Sequence, residues 1–204
     1  PGNTPSMLQN LDVFESDAVI IDLEDSVTSY DKDAAQILVR NFLSKFAFSD
    51  IDIYIRINDS ESKYFLDDVN ITKELPISGY VLPKASKDSI DALNSISNKQ
   101  IIPIIETPMA VLKIEDIASS LNVKALLLGA EDLTKDLGVS RTTNGMEILY
   151  ARSKVIMTAA AYNIESIINA VKAFPIDARK RVMFEYLVMQ NVNDDFHKEI
   201  NIYF

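Results

Sequence analysis

The chain has 204 residues and a net charge of −10 at pH 7, with 48% hydrophobic and 25% charged residues. These proportions are ordinary for a globular protein, and the negative charge argues against nucleic acid or an anionic membrane as the main partner. There is no Cys and a single His, His197, which argues against thiol chemistry, a Ser-His-Asp hydrolase and a multi-His zinc site. An anionic substrate stays open, because a local Arg and a metal ion can reverse the local field.

The sequence predicts neither a membrane-spanning segment nor a signal peptide. The longest apolar runs, such as "ALLLGA", are too short to cross a bilayer, and the N-terminus has no signal-peptide pattern. The lack of Cys fits a reducing compartment, so we expect a cytoplasmic protein. The sequence opens on Pro1 and not on Met, so we also expect a fragment or a trimmed product.

Short apolar runs that end in polar residues predict strands buried on both faces. Five are clear, at 17–25 ("DAVIIDLED"), 51–58 ("IDIYIRIN"), 79–84 ("GYVLPK"), 100–106 ("QIIPIIE") and 124–132 ("KALLLGAED"). A sixth strand is predicted at 163–171 and a seventh at 199–204.

Helical patterns lie between these runs. Segment 31–46 has acids in its first turn and Ala34, Ile37, Leu38 and Phe42 on one side. Segment 86–96 begins at Ser86, a good N-cap, and segment 107–121 has Thr107 as N-cap with Pro108 at the first helical position. Segment 144–164 is the longest predicted helix.

The repeated unit of strand, loop and helix predicts an α/β fold. No Gly-rich phosphate loop follows the first strand, and several strands end in polar residues of functional type. Both features favour a TIM (β/α)₈-type barrel over an open doubly wound sheet, because barrel sites gather the carboxyl ends of many strands. Too few strands are predicted for a complete barrel.

Glu106 and Asp132 follow adjacent predicted strands, so their carboxylates are candidates to share one divalent cation. Two carboxylates with waters and substrate oxygens make the usual Mg²⁺ site. An alternative is that Glu106 forms a structural ion pair with Lys84, one strand away. For Asp132, the alternative is that it caps a short helix.

Arg56 lies within an apolar strand. Strand alternation puts it on one face with Tyr54 and Asn58. A guanidinium at a barrel mouth can bind a substrate carboxylate through two hydrogen bonds. The alternative is a buried salt bridge to one of the acids in segment 22–25.

Three acids crowd the end of the first predicted strand, at Asp22, Glu24 and Asp25. Crowded carboxylates are costly unless cations or solvent offset them. They are candidates to order metal-bound waters, and the alternative is a solvated loop.

Six segments in order resemble the citrate lyase β-subunit family, within the HpcH/HpaI aldolase/citrate lyase group. They are "PGNTPSML", "DAVIIDLEDSV", "IYIRIN", "GYVLPKAS", "IIPIIETPMAVL" and "LLLGAEDLTKDLG" with the following "LYARSKVIMTAAAYNI". The resemblance covers residues 1–168, which we expect to form a TIM-barrel domain whose first strand is missing. Residues 169–204 match no family motif, and we expect a divergent tail with a helix and a final strand.

The resemblance implies roles for particular residues. Glu106 and Asp132 match the family's Mg²⁺ ligands, and Arg56 matches its clamp for the substrate carboxylate. Glu24 and Asp25 match acids near the metal's waters. Lys84 matches a position next to the metal ligands that supports them without binding the metal.

The resemblance also implies an activity and partners. The expected reaction is Mg²⁺-dependent cleavage or formation of a carbon–carbon bond in a citryl- or malyl-type thioester, with a 2-keto acid such as oxaloacetate as product. The thioester carrier is CoA or an acyl-carrier protein, and the expected assembly is a homo-oligomer, a trimer or hexamer. The alternative is an impaired paralogue or fragment that acts as a metabolite-binding or scaffolding subunit.

Overall fold

The structure, a computed structural model, describes residues 1–11, 17–46, 48 and 51–168 together with two short strands at 184–186 and 201–203. Six parallel strands form one sheet in sequential order. They are β1 (Ala18–Asp22), β2 (Asp52–Arg56), β3 (Gly79–Leu82), β4 (Gln100–Ile105), β5 (Ala125–Leu128) and β6 (Glu165–Ile168).

This sheet is a curled half-barrel, and within the described part of the chain it does not close on itself. The predicted α/β class is therefore confirmed, and the half-barrel is consistent with an incomplete TIM-type barrel. Two further strands, β7 (Phe184–Tyr186) and β8 (Asn201–Tyr203), pair antiparallel with each other. Strand β8 falls within the strand predicted at 199–204. The helix expected in the tail and His197 lie outside the described residues.

Helices follow the strands along the chain. They are α1 (Pro5–Leu8), α2 (Lys32–Leu43), α3 (Phe65–Thr72), α4 (Lys87–Asn94), α5 (Pro108–Leu112), α6 (Ile114–Ala118), α7 (Ala130–Asp136) and α8 (Leu149–Tyr162), with a 3₁₀ turn at Met146–Ile148. None of the described helices is long and apolar enough to span a membrane.

Both predicted N-caps are confirmed. The Ser86 hydroxyl accepts the backbone N–H of Ser89 at 3.1 Å, and the two residues form a reciprocal capping box. The Thr107 hydroxyl accepts the N–H of Ala110 at 3.1 Å, with Pro108 at the first helical position. These local hydrogen bonds explain why the starts of α4 and α5 were readable from the sequence.

The predicted apolar side of α2 is confirmed for Leu38 and Phe42, which are partly buried against the core, but not for its other two residues. Ala34 and Ile37 are exposed, with Ile37 at 49% of its full exposure. The buried side instead includes two polar residues, Lys32 and Gln36. An apolar pattern cannot predict this orientation, because the helix buries hydrogen-bonded polar groups that hydropathy assigns to solvent. The predicted helix 107–121 is also interrupted, at Lys113, where α5 ends and α6 begins.

The two faces of the sheet carry two separate apolar clusters. Between sheet and helices lies a large core that includes Ile53, Ile55 and Ile57. On the concave face lies a smaller cluster made of Ala18, Ile20, Tyr54, Val81, Ile102, Ile104, Ala125, Leu127 and Ile167. Because side chains alternate along a strand, Asp22, Arg56 and Glu106 continue the rows of this concave cluster at the carboxyl ends of their strands.

Candidate functional site

The first feature of the site is an ion pair between the ends of β1 and β2, where Asp22 and Arg56 are register partners. Arg56 Nε donates to Asp22 Oδ1 at 2.8 Å, and Arg56 Nη2 donates to Asp22 Oδ2 at 2.6 Å. Arg56 Nη1 also lies 3.7 Å from Glu24 Oε2. The structure thus shows the salt bridge that was the alternative for Arg56, at the strand ends where the clamp was expected.

Asp22 is an organising group for the loop after β1. Its side chain is fully buried, and it also accepts the N–H groups of Glu24 at 2.8 Å and Ser26 at 3.0 Å. Burial alone would raise the pKa of Asp22, but the hydrogen bonds and charge of Arg56 outweigh burial and lower the pKa to about 2. Asp22 is therefore an anion that holds both the guanidinium and the loop backbone.

Glu24 projects from this loop beside the ion pair. Burial, together with the negative charges of Asp25 and Asp22, raises its pKa to about 7, although Arg56 partly offsets the rise. Asp25 is exposed, and its N–H donates to Glu24 Oε2 at 3.1 Å. The two acids expected near a metal's waters therefore differ, since only Glu24 lies partly out of solvent.

Glu106 follows β4 and is buried, with 6% of its surface exposed. Its Oε1 accepts the backbone N–H of Lys84 at 2.6 Å. The ammonium of Lys84 points elsewhere and lies 3.2 Å from Asp59 Oδ2. The contact between Glu106 and Lys84 is thus a backbone hydrogen bond, which differs from the side-chain ion pair considered as the alternative.

The backbone of Lys84 is strained at this contact. Its φ is +45°, a left-handed conformation that residues other than Gly adopt rarely. Such conformations persist where the surrounding structure requires them, and they cluster at functional sites. Here the left-handed turn directs the N–H of Lys84 at the Glu106 carboxylate.

The electrostatics of Glu106 favour a cation. Burial raises the pKa of Glu106 to about 7 against the hydrogen bond from Lys84. The negative charges of Asp132 and Glu24 contribute to this rise, and the charge of Arg56 partly offsets it. A buried carboxylate with two acidic neighbours is a site that a bound cation would stabilise.

Gly129, which follows β5, was not predicted as part of the site. A Cβ at this position would lie 2.6 Å from Glu106 Cβ and 2.8 Å from Glu106 Oε2. No side chain fits there unless Glu106 moves, so this glycine allows the carboxylate its position. The sequence signal was a Gly directly after the buried run "ALLL", where a close approach is a common reason for Gly.

Asp132 lies in the first turn of α7, four residues after β5 ends. Its side chain is 51% exposed, and its Oδ1 is 3.7 Å from Lys135 Nζ. The predicted place at a strand end is thus shifted into the following helix. The alternative, that Asp132 caps this helix, is not confirmed, because the N-cap of α7 is Gly129 and no side chain makes a capping hydrogen bond there. The charge of Asp132 still acts on Glu106.

The carboxylates of Glu106 and Asp132 suit a cation that keeps waters and substrate oxygens among its ligands. Among the described residues, no group of three or more His, Cys, Asp or Glu side chains converges to hold a metal by protein ligands alone. Mg²⁺ does not need such a group, because it commonly binds through one or two carboxylates. Glu106 and Asp132 match that requirement in type and number.

Known proteins resemble the chain over most of its length. Citrate lyase subunit beta of Haemophilus influenzae is 28% identical over 180 residues, which cover 81% of this chain and 62% of that protein. The chain therefore spans less than two thirds of this relative's length.

A solved structure with the same fold is the citrate lyase beta subunit of M. tuberculosis, complexed with oxaloacetate and magnesium. The two superpose with a TM-score of 0.72 at 25% identity, over 82% of this chain and 74% of that one. The fold of this chain therefore matches most of a solved citrate lyase beta subunit.

A second kind of relative matches a shorter stretch. Dual-specificity RNA methyltransferase RlmN of Wolinella succinogenes is 54% identical over 68 residues, which are 33% of this chain and 18% of that protein. This stretch and the one matched by the Haemophilus protein together exceed the chain length, so they overlap. The similarity is local, since most of the methyltransferase has no counterpart here.

The family model named HpcH/HpaI aldolase/citrate lyase matches residues 1–182. This range contains all of the quoted motifs, which end at residue 164, and it extends past residue 168, the predicted limit of the resemblance. It also contains the half-barrel and every residue of the site described above. The chain belongs to the HpcH/HpaI aldolase/citrate lyase family.

Proposed function

We propose that this chain is a Mg²⁺-dependent carbon–carbon lyase of the citrate lyase β type. Its substrate is a citryl- or malyl-type thioester, and one product is a 2-keto acid such as oxaloacetate. Glu106 and Asp132 hold the metal, and Arg56 orients the substrate carboxylate. Glu24 and Asp25 lie near the metal's waters. Lys84 holds Glu106 in place without binding the metal itself.

The burial and charge of Glu106 carry this proposal. The carboxylate is 6% exposed at the carboxyl end of β4, and acidic neighbours oppose its ionisation. Protein folds seldom place a carboxylate in such surroundings unless it binds a cation or transfers protons. The solved citrate lyase beta subunit of M. tuberculosis is complexed with oxaloacetate and magnesium, which supports a bound cation at this carboxylate.

The remaining residues orient the substrate or hold a metal ligand in place. Asp22 holds the Nε edge of Arg56, so the guanidinium keeps one orientation at the end of β2 while it binds the substrate carboxylate. Lys84 donates its N–H to Glu106 Oε1 and so fixes the rotamer of that carboxylate. Bound Mg²⁺ would supply Lewis-acid stabilisation of negative charge on the keto or hydroxyl oxygen.

The wider setting is part of the proposal. Residues 1–168 form the barrel domain, and 169–204 form a divergent tail. The thioester is carried by CoA or by an acyl-carrier protein. The protein assembles as a homotrimer or hexamer in the cytoplasm.

The proposal is tested by titrating Mg²⁺ and oxaloacetate together into the protein and measuring heat of binding and melting temperature. A ligand at one hundred times its dissociation constant stabilises the fold by about 2.7 kcal/mol, which is an easily measured shift. Glu106→Gln and Asp132→Asn should each reduce that shift strongly, because each removes one of the two anionic ligands.

Asp116→Asn is the matched control. Asp116 is an exposed acid at the third position of α6, as Asp132 is at the third position of α7. It should leave binding unchanged. Binding that survives Glu106→Gln at full strength would contradict the assignment of the metal site.

A second candidate function is metabolite binding without turnover, in a scaffolding subunit. The coverage of 62% of the Haemophilus relative favours it, because groups that complete catalysis can lie in the uncovered part. A citryl or malyl thioester distinguishes the two candidates. Cleavage to a 2-keto acid supports the lyase, and binding of Mg²⁺ and oxaloacetate with no cleavage supports the scaffold.

A further inference from the structure

We propose that Lys32 is a positioning residue for the candidate site, acting through the backbone of the loop that carries Glu24. This inference rests on the proposed function, because it concerns how that same site is held. Lys32 is the first residue of α2 and lies on the side of the loop away from the Asp22 carboxylate. It was not among the residues that the sequence motifs singled out.

Lys32 is a buried ammonium with three hydrogen bonds. Only 8% of the residue is exposed. Its Nζ donates to the carbonyl of Leu23 at 2.8 Å, to the carbonyl of Glu24 at 2.7 Å and to Asn58 Oδ1 at 2.7 Å. These three bonds use all three protons of the ammonium, which is the condition for burying such a group at tolerable cost.

The same loop is held from its other side by Asp22. The Asp22 carboxylate accepts the N–H groups of Glu24 and Ser26, while Lys32 binds the carbonyls of Leu23 and Glu24. The peptide unit before Glu24 is therefore held by buried charges of opposite sign, and the carbonyl of the peptide unit after it is held by Lys32. This double attachment sets the direction in which the Glu24 side chain leaves the loop.

A buried network holds Lys32 in turn. Asp68 Oδ2 accepts the backbone N–H of Asn58 at 2.8 Å and its side-chain Nδ2 at 2.6 Å. Asp68 Oδ1 accepts Gln36 Nε2 at 2.7 Å. The network links α2, α3 and the end of β2, so the ammonium is placed by three elements and not by its own helix alone.

The consequence lies at the substrate side. Glu24 Oε2 is 3.7 Å from Arg56 Nη1, and the charge of Glu24 acts on Glu106. If the loop backbone moves, Glu24 moves relative to both residues. Groups that orient the residues of a metal or substrate site commonly affect affinity by about 10- to 100-fold when they are removed.

The test compares Lys32→Met with Gln36→Leu. Both replace a buried polar side chain on the same face of α2, but Gln36 donates to Asp68 and not to the loop that carries Glu24. Both variants should lower the melting temperature. Binding of Mg²⁺ with oxaloacetate is measured by calorimetry at a temperature where circular dichroism shows each variant folded, and amide exchange of Glu24 and Ser26 is followed by NMR.

We expect Lys32→Met to weaken oxaloacetate binding by about 10- to 100-fold and to speed exchange at Glu24 and Ser26. Gln36→Leu should change both much less, because it leaves all three hydrogen bonds of the Lys32 ammonium in place. Unchanged binding in folded Lys32→Met overturns the positioning role, as does equal weakening by Gln36→Leu. Lys32→Gln serves if Lys32→Met does not fold, because its shorter side chain has only two N–H donors and cannot make all three bonds of the ammonium. Wild-type affinity in this variant is also a contradicting result.

The two proposals fail in different ways. If the wild-type chain binds neither Mg²⁺ nor oxaloacetate, the proposed function is wrong and the role of Lys32 in that site falls with it. If the wild type binds and Lys32→Met binds equally well, only the role of Lys32 is wrong.

Discussion

Asp22 and Arg56 join the ends of β1 and β2 through two parallel hydrogen bonds of 2.8 and 2.6 Å. The carboxylate is fully buried, and 18% of the guanidinium side chain is exposed. Bidentate pairing of this kind fixes both side chains, because the planar guanidinium matches the two carboxylate oxygens. The pair therefore stabilises the fold and also orients the cation that we assign to the substrate.

Asp22→Asn tests the structural part of that role. The amide keeps the shape of the carboxylate but leaves the mostly buried guanidinium without its counter-charge. Breaking one side of a buried ion pair costs about 3–5 kcal/mol of unfolding free energy. Urea denaturation measures the loss.

The control for Asp22→Asn is Asp91→Asn, which breaks the exposed pair between Lys87 and Asp91 on α4. An exposed pair of this type contributes about 0–1 kcal/mol. Equal losses in the two variants would contradict the special role of Asp22.

Acid stability should depend on Asp22. Its pKa falls from 3.8 to about 2 on folding, so its contribution is complete above about pH 4 and disappears as the pH falls toward 2. The expected contribution is about 2 kcal/mol. Glu147 titrates in the same window, since hydrogen bonds from Thr142 and Arg141 lower its pKa to about 2.

The measurement is the unfolding free energy between pH 2 and pH 5, compared between wild type and Asp22→Asn. The wild-type curve should rise with pH more steeply than that of the variant. Parallel curves would show that Asp22 is not the group responsible.

Glu106 should give the opposite dependence near neutrality. Its pKa rises from 4.5 to about 7 on folding, so its contribution is complete below about pH 4.5 and is lost as the pH rises through 7. Glu24 has a pKa raised in the same direction and adds to the effect. With divalent metal removed by a chelator, the fold should lose on the order of 2–3 kcal/mol between pH 5 and pH 8 for Glu106 alone.

Glu106→Gln removes the ionisation of this residue and should flatten the curve between pH 5 and pH 8. Thermal unfolding in a series of buffers of equal ionic strength measures it. A variant curve as steep as that of the wild type would assign the titration to another group.

Gly129→Ala should disturb Glu106 directly. The added Cβ would lie 2.6 Å from Glu106 Cβ, so the side chain or the backbone of α7 must move. Overpacking of this kind costs about 1–3 kcal/mol. We expect a lower melting temperature and weaker binding of Mg²⁺ with oxaloacetate.

Gly138→Asn is the control for Gly129→Ala. Gly138 has open space around it and a φ of +67°, which Asn tolerates. It should leave binding intact. Wild-type binding in Gly129→Ala would show that the close contact with Glu106 is not needed.

Two variants of Lys84 can separate the effect of its strained backbone from the effect of its side-chain charge. Lys84→Gly relieves the left-handed φ of +45° and keeps the N–H that Glu106 accepts. It loses only the exposed contact with Asp59, which contributes at most about 1 kcal/mol. Lys84→Val keeps the N–H but disfavours the left-handed conformation, at a cost of about 1–2 kcal/mol.

Lys84→Gly should therefore be at least as stable as Lys84→Val and should bind Mg²⁺ with oxaloacetate like the wild type. Chemical denaturation and calorimetry measure the two effects. Loss of binding in Lys84→Gly would mean that the ammonium, and not the backbone, serves the site.

Local rules were enough for a large part of this protein. Strand alternation placed Arg56 on one face with Tyr54, which lies in the concave cluster. Asn58, predicted on the same face, instead bonds to Lys32 of α2 and Asp68 of α3. The cap at Ser86 followed from the hydroxyl-to-backbone bonds that its own neighbours supply. The order of strand-end motifs identified the family, because those motifs are linear features of the chain.

Tertiary structure alone decided which partners the charges have. The ammonium of Lys84 binds Asp59 while its backbone serves Glu106, and no spacing rule distinguishes these two options. The burial of Lys32 on α2 was not predicted, because Lys32 can be buried only when carbonyls and an amide from other elements meet it. The sequence by itself thus determined the strands, the caps and the candidate acids, whose signals are local. The pairing of charges, the need for Gly129 and the burial of Lys32 depend on distances between residues far apart in the chain, which only the folded structure defines.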